Sequence, residues 1–519
     1  MFWGPSTRLL SLSKCRDRNG YLMQKIFDKP SELEALVKQK YGFPDFVMME
    51  NAALAIKNLL LQLSPSAKAQ CLILCGKGNN GGDGYALARL IFDQLDPMVF
   101  CLEAPTAPEA KIQYEMCRKI GIKFVSQKSL FELLGKKSCN PLVIVDCLYG
   151  TGFRGKLSTE VTKLLEAANK ADAIRIACDI PTALAFNSDY TVTMGEHKLQ
   201  LFSDKAKQVA GNIIVAPLGI DRGLFENVLP ASKVPASLIT PQDMKLPERT
   251  NKAAHKGTYG HTAVMSGEKP GASIICANAA MSFGSGLTSL VSRPNSKLEQ
   301  FKIPPQLMIS ETDKNNCAQI PAKTTCLVFG PGIEKINEND FQTISAWFNA
   351  TGTKEPSAVF DAGVFGNKDF TILLKALNQN PKARIVLTPH LLELTRFCQS
   401  LKIFPELGVQ ELADEPQIKI MVGQKINKLF PNTALVIKSA NTFIASGGKT
   451  YIVADGCPSL AKGGSGDILA GMIAALLAQG YSAKDAAITA CEAHALAAQK
   501  LGPSSCALTP ERLIKNLNL

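Results

Sequence analysis

Several sequence patterns that identify a particular class of protein are missing from the 519 residues of this chain. The 15 cysteines include no Cys-x-x-Cys pair, which argues against a zinc site or a disulfide framework. We therefore expect a reducing compartment, the cytoplasm, and cysteines that mostly fill the core. The longest unbroken apolar runs, such as residues 473–478, are far shorter than the roughly 18–20 residues that span a bilayer. No membrane association is expected.

A basic tract interleaved with aromatic residues is also missing. The net charge is +12, from 57 Lys and Arg against 45 Asp and Glu, but the lysines are spread along the whole chain. Clustered cations, rather than a dispersed excess, are typical of nucleic-acid binding. We interpret the charge as mostly solvated surface that suits an anionic small molecule, and we expect no nucleic-acid partner.

Hydrophobic periodicity divides the chain into two α/β halves. At 519 residues, 46% of them apolar, the chain can form two or three domains with separate cores. Short β-branched runs alternate with helical patterns in both halves, which predicts parallel sheets with helices on both faces. Predicted strands lie at 98–100, 142–145, 174–177 and 212–215, and then at 262–265, 287–291, 326–329, 359–360 and 385–387.

The predicted units are an N-terminal extension at 1–22, a first domain at 23–225, a polar, proline-punctuated linker at 226–250 and a second domain at 251–519. The extension is basic and nearly free of acids, as in a transit peptide, but it has no convincing amphipathic helix. A misassigned start codon explains it equally well.

A glycine-rich stretch stands out in the first half: Gly76-Lys77-Gly78-Asn79-Asn80-Gly81-Gly82-Asp83-Gly84. It follows an apolar run and precedes a helical pattern that we predict to begin near Tyr85. Glycines let backbone N–H groups approach a ligand, and a helix N-terminus favours negative charge, so we predict a phosphate cradle. No Lys-Ser or Lys-Thr pair follows Asp83, which excludes a P-loop. A plain strand-to-helix turn is the alternative.

Three later segments accompany this loop in order: residues 145–155 (VDCLYGTGFRG), 178–182 (CDIPT) and 189–195 (DYTVTMG). Together these motifs resemble the NAD(P)HX epimerases of the YjeF N-terminal family. That resemblance implies a Rossmann-like domain that interconverts the two epimers of hydrated NADH or NADPH with a potassium ion bound.

The same resemblance assigns roles to individual residues. Asp179 would contact the nicotinamide end and act as the catalytic acid/base. Potassium would be bound by Asn80, Asp146 and Thr182, whose oxygen atoms suit a hard cation. The substrate would be held by Asn79, Asn80, Gly81, Gly82, Asp83, Gly150, Thr151, Gly152, Phe153, Arg154, Gly155, Lys156 and Asp179.

The sequence departs from that family pattern at one loop. Thr182-Ala183 replace the usual Ser-Gly, and residues 184–187 lack the usual acidic turn. Thr182 keeps the hydroxyl, so ion binding is expected to survive the change better than loop geometry does. Taken singly, Asp146 and Asp179 could each be a strand-end residue that caps the following turn.

The second half contains Ala461-Lys462-Gly463-Gly464-Ser465-Gly466-Asp467 ahead of an apolar helical pattern at 468–478. Glycine amides at the start of a buried helix form an anion hole, and a carboxylate there can take a proton from a hydroxyl that attacks phosphorus. The alternative is that Asp467 is an N-cap after a flexible turn.

This element resembles the Gly-x-Gly-Asp motif of ribokinase-like kinases, and residues 251–519 resemble the NAD(P)HX dehydratases of that superfamily. Supporting segments are residues 255–261 (HKGTYGH), 330–332 (GPG), 361–363 (DAG), 387–390 (LTPH) and 438–442 (KSANT). The order of the two halves matches the bifunctional nicotinamide nucleotide repair proteins of bacteria.

The dehydratase resemblance implies that Asp467 activates the hydroxyl of the substrate for phosphorylation by ADP or ATP, with Mg²⁺ carried by the nucleotide. Gly332, His390 and Asp467 would face the hydrated nicotinamide. The nucleotide would be contacted by Lys438, Ser439, Ala440, Asn441, Thr442 and Gly466. A lone histidine such as His390 is otherwise more often a hydrogen-bonded structural residue.

Two departures affect the second half. Residues 391–393 read Leu-Leu-Glu where the family has Pro-Gly-Glu, and residues 438–442 read Lys-Ser-Ala-Asn-Thr in place of Lys-Gly-Ala-Gly-Thr. The added side chains would alter nucleotide affinity or preference rather than the fold.

Two other functions stay open on the sequence. The second half could be another small-molecule kinase, which would release a stable phosphorylated product. The first half could be a non-catalytic module that binds a nucleotide or a protein partner. We favour the bifunctional enzyme, with small-molecule substrates only, and we expect a homo-oligomer.

Overall fold

The computed structural model describes residues 23–63, 69–136, 142–350, 355–500 and 506–517. The expected extension at 1–22 therefore lies outside the described residues. The strands are β1 (Gln24–Phe27), β2 (Gln70–Cys75), β3 (Asp96–Cys101), β4 (Lys123–Phe124), β5 (Leu142–Cys147), β6 (Ala173–Cys178), β7 (Tyr190–Met194), β8 (His197–Lys198), β9 (Asn212–Ala216), β10 (Ala236–Leu238), β11 (His261–Ser266), β12 (Leu287–Ser292), β13 (Met308–Ser310), β14 (Cys326–Phe329), β15 (Ser357–Phe360), β16 (Arg384–Leu387), β17 (Thr433–Ile437), β18 (Thr442–Ser446) and β19 (Lys449–Val453).

The helices alternate with these strands in both halves. They are α1 (Pro30–Tyr41), α2 (Asp45–Leu63), α3 (Asn79–Leu90), α4 (Pro108–Ile120), α5 (Gln127–Gly135), α6 (Thr159–Lys170), α7 (Asp204–Val209), α8 (Arg222–Glu226), α9 (Pro270–Ser282), α10 (Glu338–Ala350), α11 (Lys368–Leu377), α12 (Leu391–Ser400), α13 (Val409–Asp414), α14 (Pro416–Leu429), α15 (Ser465–Ala478), α16 (Ala483–Gln499) and α17 (Pro510–Lys515).

The first sheet has seven parallel strands in the order β4-β3-β2-β5-β6-β7-β9. One face packs against α1, α2 and α3, and the other packs against α5 and α6. The chain leaves β2 towards one edge and returns at β5 to build the other. Ligands of such sheets bind at this reversal, outside the carboxyl ends of the strands.

The second sheet has twelve strands in the order β13-β12-β11-β14-β15-β16-β17-β18-β19-β10-β1-β8. Strands β11 to β17 are parallel, and β17, β18 and β19 continue the sheet as antiparallel neighbours. Strand β10 then pairs with β19 and with β1, so the segment expected as a linker is partly a strand. The two halves of the chain therefore share one sheet.

The expectation of two doubly wound α/β sheets is confirmed, and every strand predicted from the sequence lies within an observed strand. Most of the described cysteines are buried free thiols. The predicted start of α3 near Tyr85 is wrong, because that helix begins at Asn79.

One described helix, α2, is long and apolar enough by composition to cross a membrane, although its apolar residues form no long unbroken run. Its buried residues, among them Met49, Ala53 and Ile56, pack into the core beside the first sheet. That packing is what a core helix of a globular domain requires.

Candidate active sites

The first candidate site lies where β2 and β5 end side by side. The glycine-rich segment follows β2, and Asp146 and the loop at 150–156 follow from β5. The next strand of the sheet, β6, ends just before Asp179. The parallel sheet thus brings the four sequence motifs to one edge, as the chain reversal between β2 and β5 requires.

The glycines of the first loop serve packing more than ligand approach. A Cβ on Gly81 would lie 1.9 Å from the carbonyl oxygen of Gly76, and one on Gly84 would lie 2.7 Å from Cys75 Sγ. Only glycine lets the first turns of α3 sit this close to β2. Gly78, the residue before the helix, has no atom within 4 Å of an added Cβ, so the open space lies there.

Asp179 is held from two sides. Its Oδ1 lies 2.6 Å from Lys198 Nζ, and its Oδ2 accepts a hydrogen bond from Thr151 N at 3.0 Å. The backbone of Asp179 has φ 72°, a left-handed conformation that is costly for a non-glycine residue and is concentrated at functional sites. A Cβ on Gly150 would lie 2.7 Å from Asp179 Oδ2, so the neighbouring loop must carry glycine there.

Lys198 is a site residue that the sequence analysis missed. Its side chain is fully buried, and Nζ also donates to Met194 O at 2.8 Å and Thr193 Oγ1 at 3.2 Å. Burial alone would lower the pKa of Lys198, but the carboxylates of Asp179 and Glu196 raise it above its ordinary value. A lysine placed four residues after the TVTM strand that borders the site was the available signal.

Asp83 is buried close to Asp179. Burial, followed by the charge of Asp179, raises the pKa of Asp83 well above its ordinary value, and Cys178 Sγ lies 3.7 Å from Asp83 Oδ2. Two carboxyl groups in one site thus differ in environment, since Asp179 is paired with a lysine and Asp83 is not. Burial and the charge of Asp179 thus favour the protonated form of Asp83, which can donate a hydrogen bond.

Asp146 and Thr182 form a buried oxygen cluster. The carboxylate of Asp146 accepts hydrogen bonds from Thr182 Oγ1 at 2.7 Å, Thr182 N at 2.8 Å and Leu148 N at 3.2 Å. Burial raises the pKa of Asp146 to about 6, although these hydrogen bonds oppose the shift. Asp146 Oδ1 thus caps the turn after its strand through Leu148 N, as the alternative suggested, and the same carboxylate also binds the threonine that replaces the usual serine.

Asn80 completes this edge of the site. Both polar atoms of its side chain are buried and have no hydrogen-bond partner among the described residues, which is costly unless a ligand or an ion supplies one. An added Cβ on Gly150 would lie 3.5 Å from Asn80 Oδ1. Asn80 is therefore close to the loop that also meets Asp179.

The remaining loop residues lie at the surface. Arg154 Nη1 donates to the carbonyl oxygens of Thr151 and Phe153 at 2.7 and 2.8 Å, and the ring of Phe153 stacks on that of Tyr149 with centroids 4.7 Å apart. Asn79, Gly155 and Lys156 are exposed. This loop is therefore shaped by its own contacts and leaves its backbone open on one side.

The second candidate site lies where β15, β16 and β17 end. Lys438 Nζ lies 2.7 Å from Asp361 Oδ1, which also accepts a hydrogen bond from Thr388 Oγ1 at 2.8 Å. Asp361 and Thr388 were noticed only as parts of motifs, and their side chains belong to the centre of the site. A Cβ on Gly466 would lie 3.4 Å from Lys438 Nζ, so this lysine also reaches the start of α15.

Asp467 lies in the first turn of α15, but it does not cap the helix. The N-cap is Gly464, with φ 91°, which corrects the alternative that Asp467 is the N-cap. Burial and the charge of Asp361 raise the pKa of Asp467 to about 7, against the opposing effect of Lys438. The carboxyl group is thus poised to exchange a proton near neutral pH.

His390 and Gly332 have structural contacts of their own. His390 Nδ1 accepts a hydrogen bond from Glu393 N at 3.2 Å, and Glu393 Oε2 accepts one from His390 N at 2.9 Å, so the pair caps α12. Glu393 is the one position of residues 391–393 that keeps the Pro-Gly-Glu pattern, and the cap uses it. Gly332 has φ 72°, and a Cβ there would lie 2.1 Å from Lys269 O.

Residues 438–442 connect β17 to β18 beside this site. Lys438 N donates to Pro389 O at 2.9 Å, which ties this loop to the segment that carries His390. The structure thus brings Asp361, Lys438, Gly466 and Asp467 together, with His390 on the adjacent segment.

Family comparisons agree with the order of the two halves. A family model described as YjeF-related protein N-terminus matches residues 45–199, and one described as NAD(P)H-hydrate dehydratase matches residues 262–518. Among solved structures, the ADP/ATP-dependent NAD(P)H-hydrate dehydratase of Bacillus subtilis, co-crystallised with ATP/Mg²⁺, is 23% identical and covers 52% of this chain and 92% of that chain, with a TM-score of 0.40.

Curated relatives extend over nearly the whole chain. The bifunctional NAD(P)H-hydrate repair enzyme Nnr of Escherichia coli is 27% identical over 478 residues, 89% of this chain and 86% of its own length. The protein of the same name from Helicobacter pylori is 34% identical over 513 residues, 95% of this chain and 99% of its own length. With that identity across both halves, the chain belongs to the family of bifunctional NAD(P)H-hydrate repair enzymes.

Proposed function

We propose that this enzyme repairs hydrated NADH and NADPH at two sites of its own. The first half interconverts the R and S epimers of NAD(P)HX, and the second half dehydrates the S epimer with consumption of a nucleotide. The observation that carries the proposal is the presence, in one chain, of two separate aspartate–lysine pairs, Asp179 with Lys198 and Asp361 with Lys438. Asp179 follows a strand of the seven-stranded sheet, and Asp361 and Lys438 follow strands of the twelve-stranded sheet, at the carboxyl ends where doubly wound folds bind ligands.

At the first site Asp179 is the acid/base. Lys198 pairs with its carboxylate and aims it into the site, while the raised pKa of Asp83 favours the protonated form, which can donate a hydrogen bond to the substrate. The open side of the glycine-rich segment and of the 150–156 loop offers backbone N–H groups to the dinucleotide phosphates. The substrate-binding residues are those assigned from the sequence: Asn79, Asn80, Gly81, Gly82, Asp83, Gly150, Thr151, Gly152, Phe153, Arg154, Gly155, Lys156 and Asp179.

The residues proposed for potassium suit that ion. Asn80 has a buried amide oxygen without a partner, and Asp146 and Thr182 supply a carboxylate and a hydroxyl that are already linked to each other. All three are hard oxygen donors. Potassium would supply positive charge that orients the substrate, and Asp146 with Thr182 would keep the adjoining loop in position.

At the second site Asp467 takes the proton from the substrate hydroxyl. The hydroxyl oxygen then forms a bond to the terminal phosphorus of the nucleotide, and the bond from that phosphorus to the leaving nucleotide breaks. The phosphate leaves with the substrate oxygen, and loss of a proton from the adjacent carbon restores the reduced ring. A positioned base contributes about 10²–10⁴-fold to such a step.

The other residues of the second site bind and orient. Lys438 is paired with Asp361 and close to the glycines at the start of α15, so it can neutralise charge on the transferred phosphoryl group. Gly332 and His390 would face the hydrated nicotinamide, and residues 438–442 with Gly466 would contact the nucleotide. Magnesium, carried by ADP or ATP, would supply charge neutralisation to the phosphates. The cytoplasmic location and the homo-oligomer expected from the sequence stay predictions.

The test is an assay on an equimolar mixture of NADHX epimers with Mg²⁺, K⁺ and either ADP or ATP. Recovery of the reduced-nicotinamide absorbance for the whole mixture is the expected result. Recovery that stops at half would mean that the first half does not epimerise. A stable phosphorylated product without recovered absorbance would instead support a small-molecule kinase.

A further inference from the structure

The nucleotide loop at 438–442 is tied to the first half of the chain. Asn441 is buried, and its Nδ2 donates a hydrogen bond to Phe202 O at 3.0 Å. Ser439 Oγ accepts a hydrogen bond from Lys419 Nζ at 2.8 Å and donates one to Asn441 O at 2.7 Å. These are the two positions at which the sequence carries side chains in place of the expected glycines. The side chains at both positions that depart from the family pattern therefore form hydrogen bonds.

Lys419 links that loop to Asp204 of the first half. Its ammonium lies 2.9 Å from Asp204 Oδ1, its side chain is fully buried, and it also lies over the ring of Phe443 at 4.8 Å. Burial lowers the pKa of Lys419, and Asp204 opposes that shift. An ammonium buried without its carboxylate is energetically costly. The Lys419–Asp204 ion pair therefore keeps the loop fixed relative to the first half.

Asp204 begins α7, which is also attached to the first site. Lys205 Nζ donates to Ala183 O at 3.4 Å, beside Thr182, and Lys207 donates to Ala454 O of the second half. Phe202 and Asp204 follow closely after Lys198, the partner of Asp179. The segment 198–207 thus runs from one site to the loop of the other.

We propose that Asp204 and the carbonyl of Phe202, both in the first half, position the 438–442 loop, so that the first half of the chain sets the nucleotide affinity of the second. This inference rests on the proposed nucleotide role of that loop. Without the Asp204–Lys419–Ser439 connection the loop loses an anchor and samples conformations that do not bind. The apparent affinity for the nucleotide then falls in proportion to the fraction of molecules whose loop is in the binding conformation.

The experiment is calorimetric titration of the full chain with Mg-ADP. Asp204→Ala should weaken binding about tenfold, within the usual range for coupled sites. Asp204→Glu, which keeps the carboxylate, should recover most of the affinity. The matched control is Gln208→Ala, an exposed residue of the same helix, which should bind like the wild type.

Kinetics separate positioning from general damage. Asp204→Ala should raise the KM for the nucleotide, with kcat at saturating nucleotide and the KM for the S epimer unchanged. Should unpaired Lys419 prevent folding, the double variant Asp204→Ala/Lys419→Met has no buried unpaired charge and should show the same loss of affinity.

The inference would be overturned if Asp204→Ala and Asp204→Ala/Lys419→Met both bound Mg-ADP with a dissociation constant within twofold of the wild-type value. A wild-type chain that binds neither Mg-ADP nor Mg-ATP would overturn the proposed function itself, and the inference with it.

Discussion

Lys198 Nζ lies 2.6 Å from Asp179 Oδ1, inside a pocket where the lysine is fully buried. Glu196 and Glu34 lie near the same ammonium, and burial raises the pKa of both, that of Glu196 to about 8. Asp179 is thus the carboxylate that pairs with this lysine most closely.

Lys198→Met should therefore slow epimerisation by about 10²–10⁴-fold, the contribution of a working acid/base. Lys198→Arg keeps the charge beside Asp179 and should restore part of the rate. If Lys198→Arg were as slow as Lys198→Met while both variants stayed folded, the charge of Lys198 would not act through Asp179.

Asp179→Ala should remove the acid/base group and leave the second half intact. On the equimolar epimer mixture the wild type should convert all the substrate, and the variant should stall when the S epimer is used up. The measurement is the final absorbance of the reduced nicotinamide. If the variant consumed both epimers at the wild-type rate, the first half would be better explained as a binding module.

The sequence predicted the strands and the meeting of the motifs well, because buried parallel strands are short apolar runs and their carboxyl ends share one edge. The family resemblance is confirmed by a relative that is 34% identical over 95% of the chain. The glycines of the first loop were harder to interpret. Gly76, Gly78 and Gly81 have the Gly-x-Gly-x-x-Gly spacing, and composition alone cannot distinguish tight helix–strand packing from ligand approach.

Three features depend on contacts between distant parts of the chain, which local patterns describe poorly. Lys198 follows β7 and reaches Asp179 because β7 lies beside β6. Segment 226–250 is polar like a linker, yet Ala236–Leu238 pairs with β1 and β19. The altered loop at 438–442 is explained by Phe202 and Asp204, more than 200 residues earlier in the chain.

Potassium dependence should follow the hydroxyl of Thr182. Thr182→Ser keeps that group and should retain activation by K⁺, whereas isosteric Thr182→Val should lose it, along with the hydrogen bonds to Asp146 and Tyr149 N. Asp146→Ala should weaken potassium dependence and substrate binding together. The measurement is the epimerase rate across a K⁺ titration at constant ionic strength. Equal K⁺ activation in Thr182→Val and wild type would contradict the assignment.

Asp467→Asn should abolish dehydration and leave epimerisation intact, because an amide cannot accept the hydroxyl proton and the two sites lie on different sheets. The wild-type dehydration rate should rise as pH passes through about 7, where Asp467 loses its proton. Single-turnover measurements over pH 5.5–8.5, a range of roughly three units about that pKa, would check this. Dehydration close to the wild-type rate in the variant would remove Asp467 from the mechanism.

The protonation of Asp467 should also affect the stability of the folded chain. Stability should fall with rising pH, whereas the dehydration rate should rise. Its pKa is raised from 3.8 to about 7 in the folded chain, so between those values the folded chain binds more protons than the unfolded one. Stability therefore decreases as pH rises through that window, and the decrease persists above it. Asp467→Asn removes the penalty without removing a cap, since Gly464 is the N-cap. Near pH 4 the Tm of the variant should equal that of wild type. At pH 8 the Tm of the variant should be higher by roughly 3 °C. Scanning calorimetry at both pH values measures the gap, and a variant less stable than wild type at pH 8 would show that Lys438 already keeps Asp467 ionised in the folded state.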